Sequence, residues 1–395
     1  MSDFHQRGLI STLHSLKPRD LEELETELAG FTTDRPVGLA LPCTLDDLRQ
    51  PAMATILREL RETRYLSTVV ICVNRMEAVN LRDARQIVDA SGDGRLRLLW
   101  ADDQRMGELL QEIGVPTDAG GKGLNLWLAT GFLLLSGQCK VLVSHDTDIV
   151  NYHRRIPALL TLPLTHPEMD YRFAKGYYPR VSGRLYGRVT RLFVAPLLRA
   201  LVRLNGHHPL LDFLEAFRYP LAGEFGIDMN LAAQLSFSPG WDLEIGMLCE
   251  MHRLLPPPLT AQVDLGINYE HKHQELVVEP ENPGGLERLA SEIAACLLAN
   301  LQSEGAGLHP AFLSSLPSAY HTAVREMVRR YHDTAVLNEL EFDRAGELAL
   351  GDAFETALGG AGSSTPRRLP SWKSLQRIRP DWCARFLSAA DSSAS

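Results

Sequence analysis

Two carboxylates one residue apart, Asp146 and Asp148, end the apolar run Val141-Leu142-Val143-Ser144. Aspartates so paired offer hard oxygen donors that hold one divalent cation and leave coordination positions for phosphate oxygens and water. That is the chemistry of a nucleotide diphosphate site. A solvated acidic turn gives the same tripeptide, so the neighbours must decide. Upstream, Gly120-Gly121-Lys122-Gly123 precedes the apolar stretch Leu124 to Leu135. Glycines ahead of a helix allow close backbone approach and a helix N-terminus favours an anion, so Lys122 would meet a phosphate or a ribose there; the plain alternative is a surface lysine on a glycine turn. The Gly-x-x-x-x-Gly-Lys-Ser/Thr phosphate loop is absent, and no Gly-x-Gly-x-x-Gly fingerprint follows the first strand. A dinucleotide oxidoreductase therefore has little support.

Downstream the charge segregates. From Tyr171 to Leu211 there is no Asp or Glu, while Arg172, Lys175, Arg180, Arg184, Arg188, Arg191, Arg199 and Arg203 all occur. Arg180, Arg184, Arg188 and Arg191 would share one face of a helix. An anionic ligand would relieve their repulsion; a solvated basic face or a dimer surface is the alternative. Further acids follow: Glu224 in Leu221-Ala-Gly-Glu-Phe, then Asp242 and Glu244 in Gly240-Trp-Asp-Leu-Glu-Ile-Gly246. Asp242 and Glu244 stand near the start of a helix expected through Met247 to Leu254, where they either bind sugar hydroxyls or cap that helix. His271 and His273 come after Val263-Asp-Leu-Gly266.

Such residues need a frame that brings them to one place. Val37–Pro42, Thr68–Val73, Leu96–Trp100 and Val141–Ser144 read as apolar strands, with helices at Leu57–Leu66, Leu81–Ala90 and Leu124–Leu135 between them. Asp46 and Asp47 lie in the loop after the first strand. The alternation predicts a doubly wound, mostly parallel α/β sheet, which binds ligands at the carboxyl ends of its strands. Residues 1–34 suggest an N-terminal helical segment, and the Gly-punctuated segments around Glu224, Glu244 and Gly266 suggest loops that build a site. Helices are expected at Leu286–Leu301 and Tyr320–Leu340, with a flexible linker at Gly359–Pro366 before Trp372 and Trp382.

The totals narrow the class. A chain of 395 residues, 45% hydrophobic and 23% charged, has ordinary globular composition, and a net charge of -9 argues against a general nucleic-acid binder. The six cysteines form no metal-ligand spacing, so they read as small buried hydrophobes in a reducing, cytoplasmic compartment. No signal peptide is expected, and the most apolar window, Leu124 to Ser136, is too short to span a bilayer.

In order, Gly-Lys-Gly, a helix, an apolar strand, Asp-Thr-Asp, Gly187-Arg188-Val189-Thr190, Ala-Gly-Glu, Trp-Asp-Leu-Glu-Ile-Gly and Val-Asp-Leu-Gly with its histidines resemble the glucosyl-3-phosphoglycerate synthase family over roughly residues 37–280. The resemblance implies a retaining glycosyltransferase of GT-A fold, moving glucose from a nucleotide sugar (UDP-glucose, or GDP- or ADP-glucose) to 3-phosphoglycerate with Mg2+ or Mn2+, toward the compatible solute glucosylglycerate. It implies metal ligation by Asp148 and His271, although His273 is open to the same role. Donor contacts are implied at Pro42, Asp46, Lys122, Asp146, Asp148, Glu224 and Glu244, and acceptor contacts at Gly187, Arg188, Thr190 and His273. The catalytic groups would be Asp148, Glu224 and Asp242. It further implies a GT-A domain at 35–285, nucleotide-sugar half to about 150 and acceptor half after it, a helical extension at 286–395, and a homodimer. The chain departs from the family at Cys43-Thr-Leu-Asp46-Asp47, where Asn-Glu-Glu is usual, and at Val73-Asn74-Arg75-Met76, so the base preference stays open. The alternatives are a mannosyl-3-phosphoglycerate or mannosylglycerate synthase, and a non-catalytic GT-A-like binding protein.

Overall fold

Eight strands form one sheet: β1 Ser11–Leu13, β2 Val37–Thr44, β3 Leu66–Asn74, β4 Leu96–Trp100, β5 Val141–Ser144, β6 Phe173–Tyr177, β7 Phe225–Asp228 and β8 Thr260–Asp264. Their order across the sheet is β1-β8-β6-β7-β5-β2-β3-β4. All neighbouring pairs are parallel except those of β7, which runs antiparallel to both β5 and β6. The doubly wound, mostly parallel sheet expected from the alternation is therefore present. The computed structural model describes residues 6, 8–17, 19–116, 120–266, 284–359 and 366–394.

Strands buried on both faces explain the unbroken aliphatic runs. Leu39, Leu41, Val141 and Val143 point into one apolar core, while Ala40 and Leu142 point into the other. The first core is closed by Leu24 and Leu28 of the helix Leu21–Phe31, which starts where the Asp20 side chain accepts from the amide of Glu23. The second is closed by the helix Lys122–Leu135 and by C-terminal helices. There Trp127 stacks on Trp372 at 4.3 Å between ring centroids, and Trp382 on Phe386 at 5.7 Å.

Several expectations need correction. The helix placed at Leu57–Leu66 is Pro51–Arg61, opened by proline at its first turn, and Leu66 already belongs to β3. Residues 1–34 contribute the edge strand β1 as well as a helix. The segments around Phe225 and Val263 include the strands β7 and β8 rather than loops alone. The helix expected at Tyr320–Leu340 spans Pro310–Leu337. Most of the linker expected at 359–366 lies outside the described residues.

The four arginines do not form a helical stripe. Gly183 and Gly187 adopt φ of 64° and 68°, and Arg180 and Arg184 lie in the irregular segment before a helix that begins at Arg188. Left-handed backbone of this kind ends a helix pattern at glycine. The segment is instead fastened to C-terminal elements: the backbones of Arg184 and Glu341 form a single parallel β-bridge, and Arg191 forms a buried two-pronged pair with Glu347 at 2.6 and 2.9 Å. Among the described residues no helix is long and apolar enough to cross a membrane. All six cysteines are buried and free, as their spacing suggested.

Candidate active site

The carboxyl ends of β2, β3 and β5 share one rim of the sheet, and Lys122, Asp146, Glu224 and Glu244, singled out in the sequence, come together there. Asn125, on the Lys122–Leu135 helix, sets this rim: its Nδ2 donates to the carbonyls of Cys43 at 2.9 Å and Cys72 at 3.0 Å, tying the ends of β2 and β3 to the helix. β5 stops at Ser144 and the chain turns out through Asp146 and Asp148, both half-buried. His145 pegs this turn from beneath. It is fully buried, with Nδ1 2.9 Å from the Asp146 carbonyl and Nε2 3.1 Å from the Tyr152 hydroxyl. Burial pulls its pKa down to about 4.

β7 supplies the opposite wall because it runs backwards. Its first residue, Phe225, faces Ser144, so Glu224 emerges at the rim where the parallel strands end. Glu224 is fully buried, and its Oε2 accepts from the Tyr178 hydroxyl at 2.8 Å. Beside it Lys175 of β6 is fully buried and donates to the Ala222 carbonyl at 2.6 Å. Burial pulls the Lys175 ammonium down to about 8, against the raising influence of Glu244 and Glu224.

Lys122, in the first turn of its helix, reaches Asp146 Oδ1 at 2.5 Å and Glu244 Oε1 at 2.8 Å. Burial alone would lower its pKa, but the two carboxylates hold it well above the ordinary lysine range. Gly223 makes room for this trio, since a Cβ there would press on Asp146 Oδ1 and Lys122 Nζ. The sheet thus joins Lys122, Asp146, Glu224 and Glu244, which are scattered over the sequence, in one charged cluster.

The other expected residues are distributed as follows. Pro42 is buried near the end of β2, past the last residue that pairs with β5, and its carbonyl accepts from Thr147 Oγ1 at 3.3 Å. Asp46 is exposed on the short helix Leu45–Leu48, which Thr44 caps by accepting from the Asp47 amide. The Asp242 carboxylate is buried and engaged by Ser238 and by Arg368, the latter at 2.9 Å. Gly187, Arg188 and Thr190 lie together at the start of their helix, and Arg188 Nε is 3.8 Å from Glu347. His271 and His273 lie outside the described residues. Four residues absent from the expected site belong to its surroundings: Lys175, Tyr178, Arg368, and Arg180, whose pKa the charges of Tyr219, Tyr178 and Asp148 raise against the lowering effect of burial. Of these, Lys175 and Arg180 were visible in the acid-free stretch. Tyr178 lies in the same stretch without a charge to mark it, and nothing near Arg368 in the sequence marked that residue.

Asp148 offers half-buried carboxylate oxygens just past a strand end, the hard donor type that a divalent ion takes. The cluster as a whole can grip a polyanionic ligand through Lys122 and hydroxyl-rich groups through Asp146, Glu224 and Glu244.

No protein-family model matches the chain. It is 38% identical over 361 residues to the glucosyl-3-phosphoglycerate synthase of Persephonella marina, an alignment spanning 91% of this chain and 89% of that one. To the enzyme of the same name from Methanococcoides burtonii it is 33% identical over 397 residues, spanning 98% and 94%. Among solved structures, glucosyl-3-phosphoglycerate synthase from Mycobacterium tuberculosis in complex with Mn2+, UDP-glucose and phosphoglyceric acid matches with a TM-score of 0.55 at 23% identity, over 74% of this chain and 88% of that one. That likeness shows the fold, which is the GT-A glycosyltransferase fold.

Proposed function

The chain belongs to the glucosyl-3-phosphoglycerate synthase family, and on that premise we propose that it transfers glucose from a nucleotide sugar, UDP-glucose, to the hydroxyl of 3-phosphoglycerate. The products are glucosyl-3-phosphoglycerate, the nucleoside diphosphate and a proton. The observation that carries this reading is the convergence of Lys122, Asp146, Glu244 and Glu224 on one rim of the sheet. Lys122 is a buried-edge cation suited to the donor diphosphate or ribose. Asp146, poised by Lys122, accepts from ribose hydroxyls. Pro42 and Asp46 flank the nucleoside side of the rim.

Asp148, with His271 or His273, would hold Mg2+ or Mn2+; when bound, the ion neutralises charge on the leaving diphosphate. Glu224 has one oxygen fixed by Tyr178, which suits a carboxylate that orients the donor sugar by its hydroxyls rather than one that attacks carbon. Glu244 serves the same sugar from the other side of Lys122. Gly187, Arg188 and Thr190 present backbone amides, a guanidinium fork and a hydroxyl at a helix start, a set suited to the acceptor phosphate. With Glu224 held by Tyr178, the reading is transfer on the front face: the acceptor oxygen bonds to the anomeric carbon as the bond to the diphosphate breaks, and the leaving phosphate oxygen takes the hydroxyl proton. Asp242, engaged by Ser238 and Arg368, contributes by position. Free buried thiols support a reducing, cytoplasmic setting, and the family resemblance supports a homodimer.

The test is turnover with UDP-glucose, 3-phosphoglycerate and MgCl2, followed by product release and by the NMR coupling constant of the product's anomeric proton. Acceptor-dependent UDP release with retained α configuration is expected, and inversion would sink the front-face mechanism. Asp148→Ala should cost about 100-fold or more in kcat and abolish metal-dependent UDP binding by calorimetry. Unchanged UDP binding in that variant would remove Asp148 from the metal site.

A further inference from the structure

We propose that Arg368, near the start of the C-terminal tail, is a positioning residue of the donor site, holding Lys122 and Glu244 in register through the buried carboxylate of Asp242. This rests on the proposed donor role of those two residues. Arg368 Nη1 donates to Asp242 Oδ2 at 2.9 Å, and Nη2 approaches Cys296 Sγ at 3.1 Å. The other Asp242 oxygen accepts from the Ser238 hydroxyl. Asp242 is 4% exposed and Ser238 1%, so this is an internal charged knot and not a surface pair.

Each strand of the knot leads to a donor-site residue. The Ser238 carbonyl lies against Gly123, where a Cβ would collide with it, so the Ser238 backbone is seated on the first turn of the helix that carries Lys122. On the other side Asp242 immediately precedes the helix Leu243–Leu254; its carbonyl accepts from the Gly246 amide at 2.7 Å, and Glu244 in that same first turn bonds Lys122 at 2.8 Å. The tail itself is laid against the same elements. Leu369 N donates to Phe237 O at 2.8 Å, Trp127 Nε1 to Pro370 O at 2.8 Å, and Trp372 Nε1 to Trp127 O at 2.9 Å. Trp127 belongs to the Lys122 helix. The tail therefore touches both elements whose relative placement sets the Lys122–Glu244 distance, and the Arg368 guanidinium neutralises the carboxylate between them. Without it Asp242 is a buried anion lacking its cation, and the loop from Ser238 to Asp242 must shift to find water or a proton.

The test compares wild type with Arg368→Met, which keeps the stem and loses the charge, with Arg368→Lys, which keeps the charge and loses the fork, and with Lys122→Met. UDP affinity in MgCl2 is measured by calorimetry, and kcat and KM for UDP-glucose and 3-phosphoglycerate are measured at a temperature where circular dichroism shows each variant folded. Arg368→Met is expected to weaken UDP and raise the UDP-glucose KM about 10-fold or more, with the 3-phosphoglycerate KM changed by less than about 2-fold and partial recovery in Arg368→Lys. Unchanged UDP affinity in folded Arg368→Met, or equal losses for donor and acceptor, overturns the proposal. Should Arg368→Met fail to fold, Arg368→Lys decides: a donor-selective weakening of about 3-fold supports it and none overturns it. If Lys122→Met leaves UDP affinity intact, the donor-site reading itself has failed; if Lys122→Met weakens UDP and neither Arg368 variant does, only the role of Arg368 has.

Discussion

Lys175 shows how strongly burial alters the chemistry of a single residue. It has no exposed surface, one carbonyl partner, and a pKa pulled down by burial to about 8. The sign of its effect on stability follows from which state holds the proton more tightly. Between the folded value and the ordinary lysine value the unfolded chain binds more protons, so this group's contribution to stability rises with pH from about 8 toward 10.5; below 8 the penalty of burying the charge is fully present. In metal-free protein, urea unfolding of wild type at pH 7.5 and 9.5 should show a gain over Lys175→Met on the order of 2 kcal/mol across that interval. Parallel pH dependence in the two proteins would mean that the lysine is solvated. The same burial pushes the Cys43 thiol up to about 12, in keeping with a packing role at the end of β2.

Among the elements, the helix Lys122–Leu135 does the most to assemble the site, and its control point is Asn125. One amide group closes two strand-end carbonyls at once, while its Oδ1 has no partner among the described residues. Asn125→Leu removes both of these buried hydrogen bonds, so a loss of about 2–4 kcal/mol in urea unfolding is expected. A loss below about 0.5 kcal/mol would show that the rim does not depend on it. This scale also separates what the residues declared from what they hid. Val141–Ser144 and Leu96–Trp100 were legible because strands buried on both faces must be apolar throughout. The Leu57–Leu66 helix was misplaced because Leu57 and Leu60 on the helix and Tyr65 and Leu66 at the strand enter one core, so the apolar spacing runs on across the boundary. The arginine stripe failed for a reason present in the sequence, the two glycines at 183 and 187. Lys122 and Asp146 were both singled out, though as separate ligand contacts and not as an ion pair, whereas the Arg368–Asp242 contact joins residues 126 apart through no local pattern at all.

At the scale of the whole molecule, the C-terminal helices belong to the structure that carries the site. Arg191 and Glu347 are each about one-tenth exposed, and their two-pronged pair clamps the arginine-rich segment onto the helix Arg344–Leu358. Removing Arg191 leaves the buried Glu347 carboxylate with only the more distant Arg188, 3.8 Å away, so Arg191→Met should cost about 3 kcal/mol in urea unfolding. The double variant Arg191→Met with Glu347→Leu should recover most of it. If the double variant is no better than the single one, the Arg191 stem rather than the charge pair holds the segment.

The edge strand β1 pairs with β8, and the Thr12 side chain meets Gln262 across 250 residues of chain. During synthesis the N-terminal strand must wait, exposed, until the ribosome has released more than half of the protein, and pairing of such range is slow to form. Arg368 emerges later still. A nascent chain halted between β8 and the tail would carry Lys122, Asp146, Asp148, Glu224 and Glu244 in a completed sheet, yet lack the cation that ties two of them together. On the proposed role of Arg368, full donor affinity therefore arrives only once residue 368 has been made and seated, well after the sheet residues it serves.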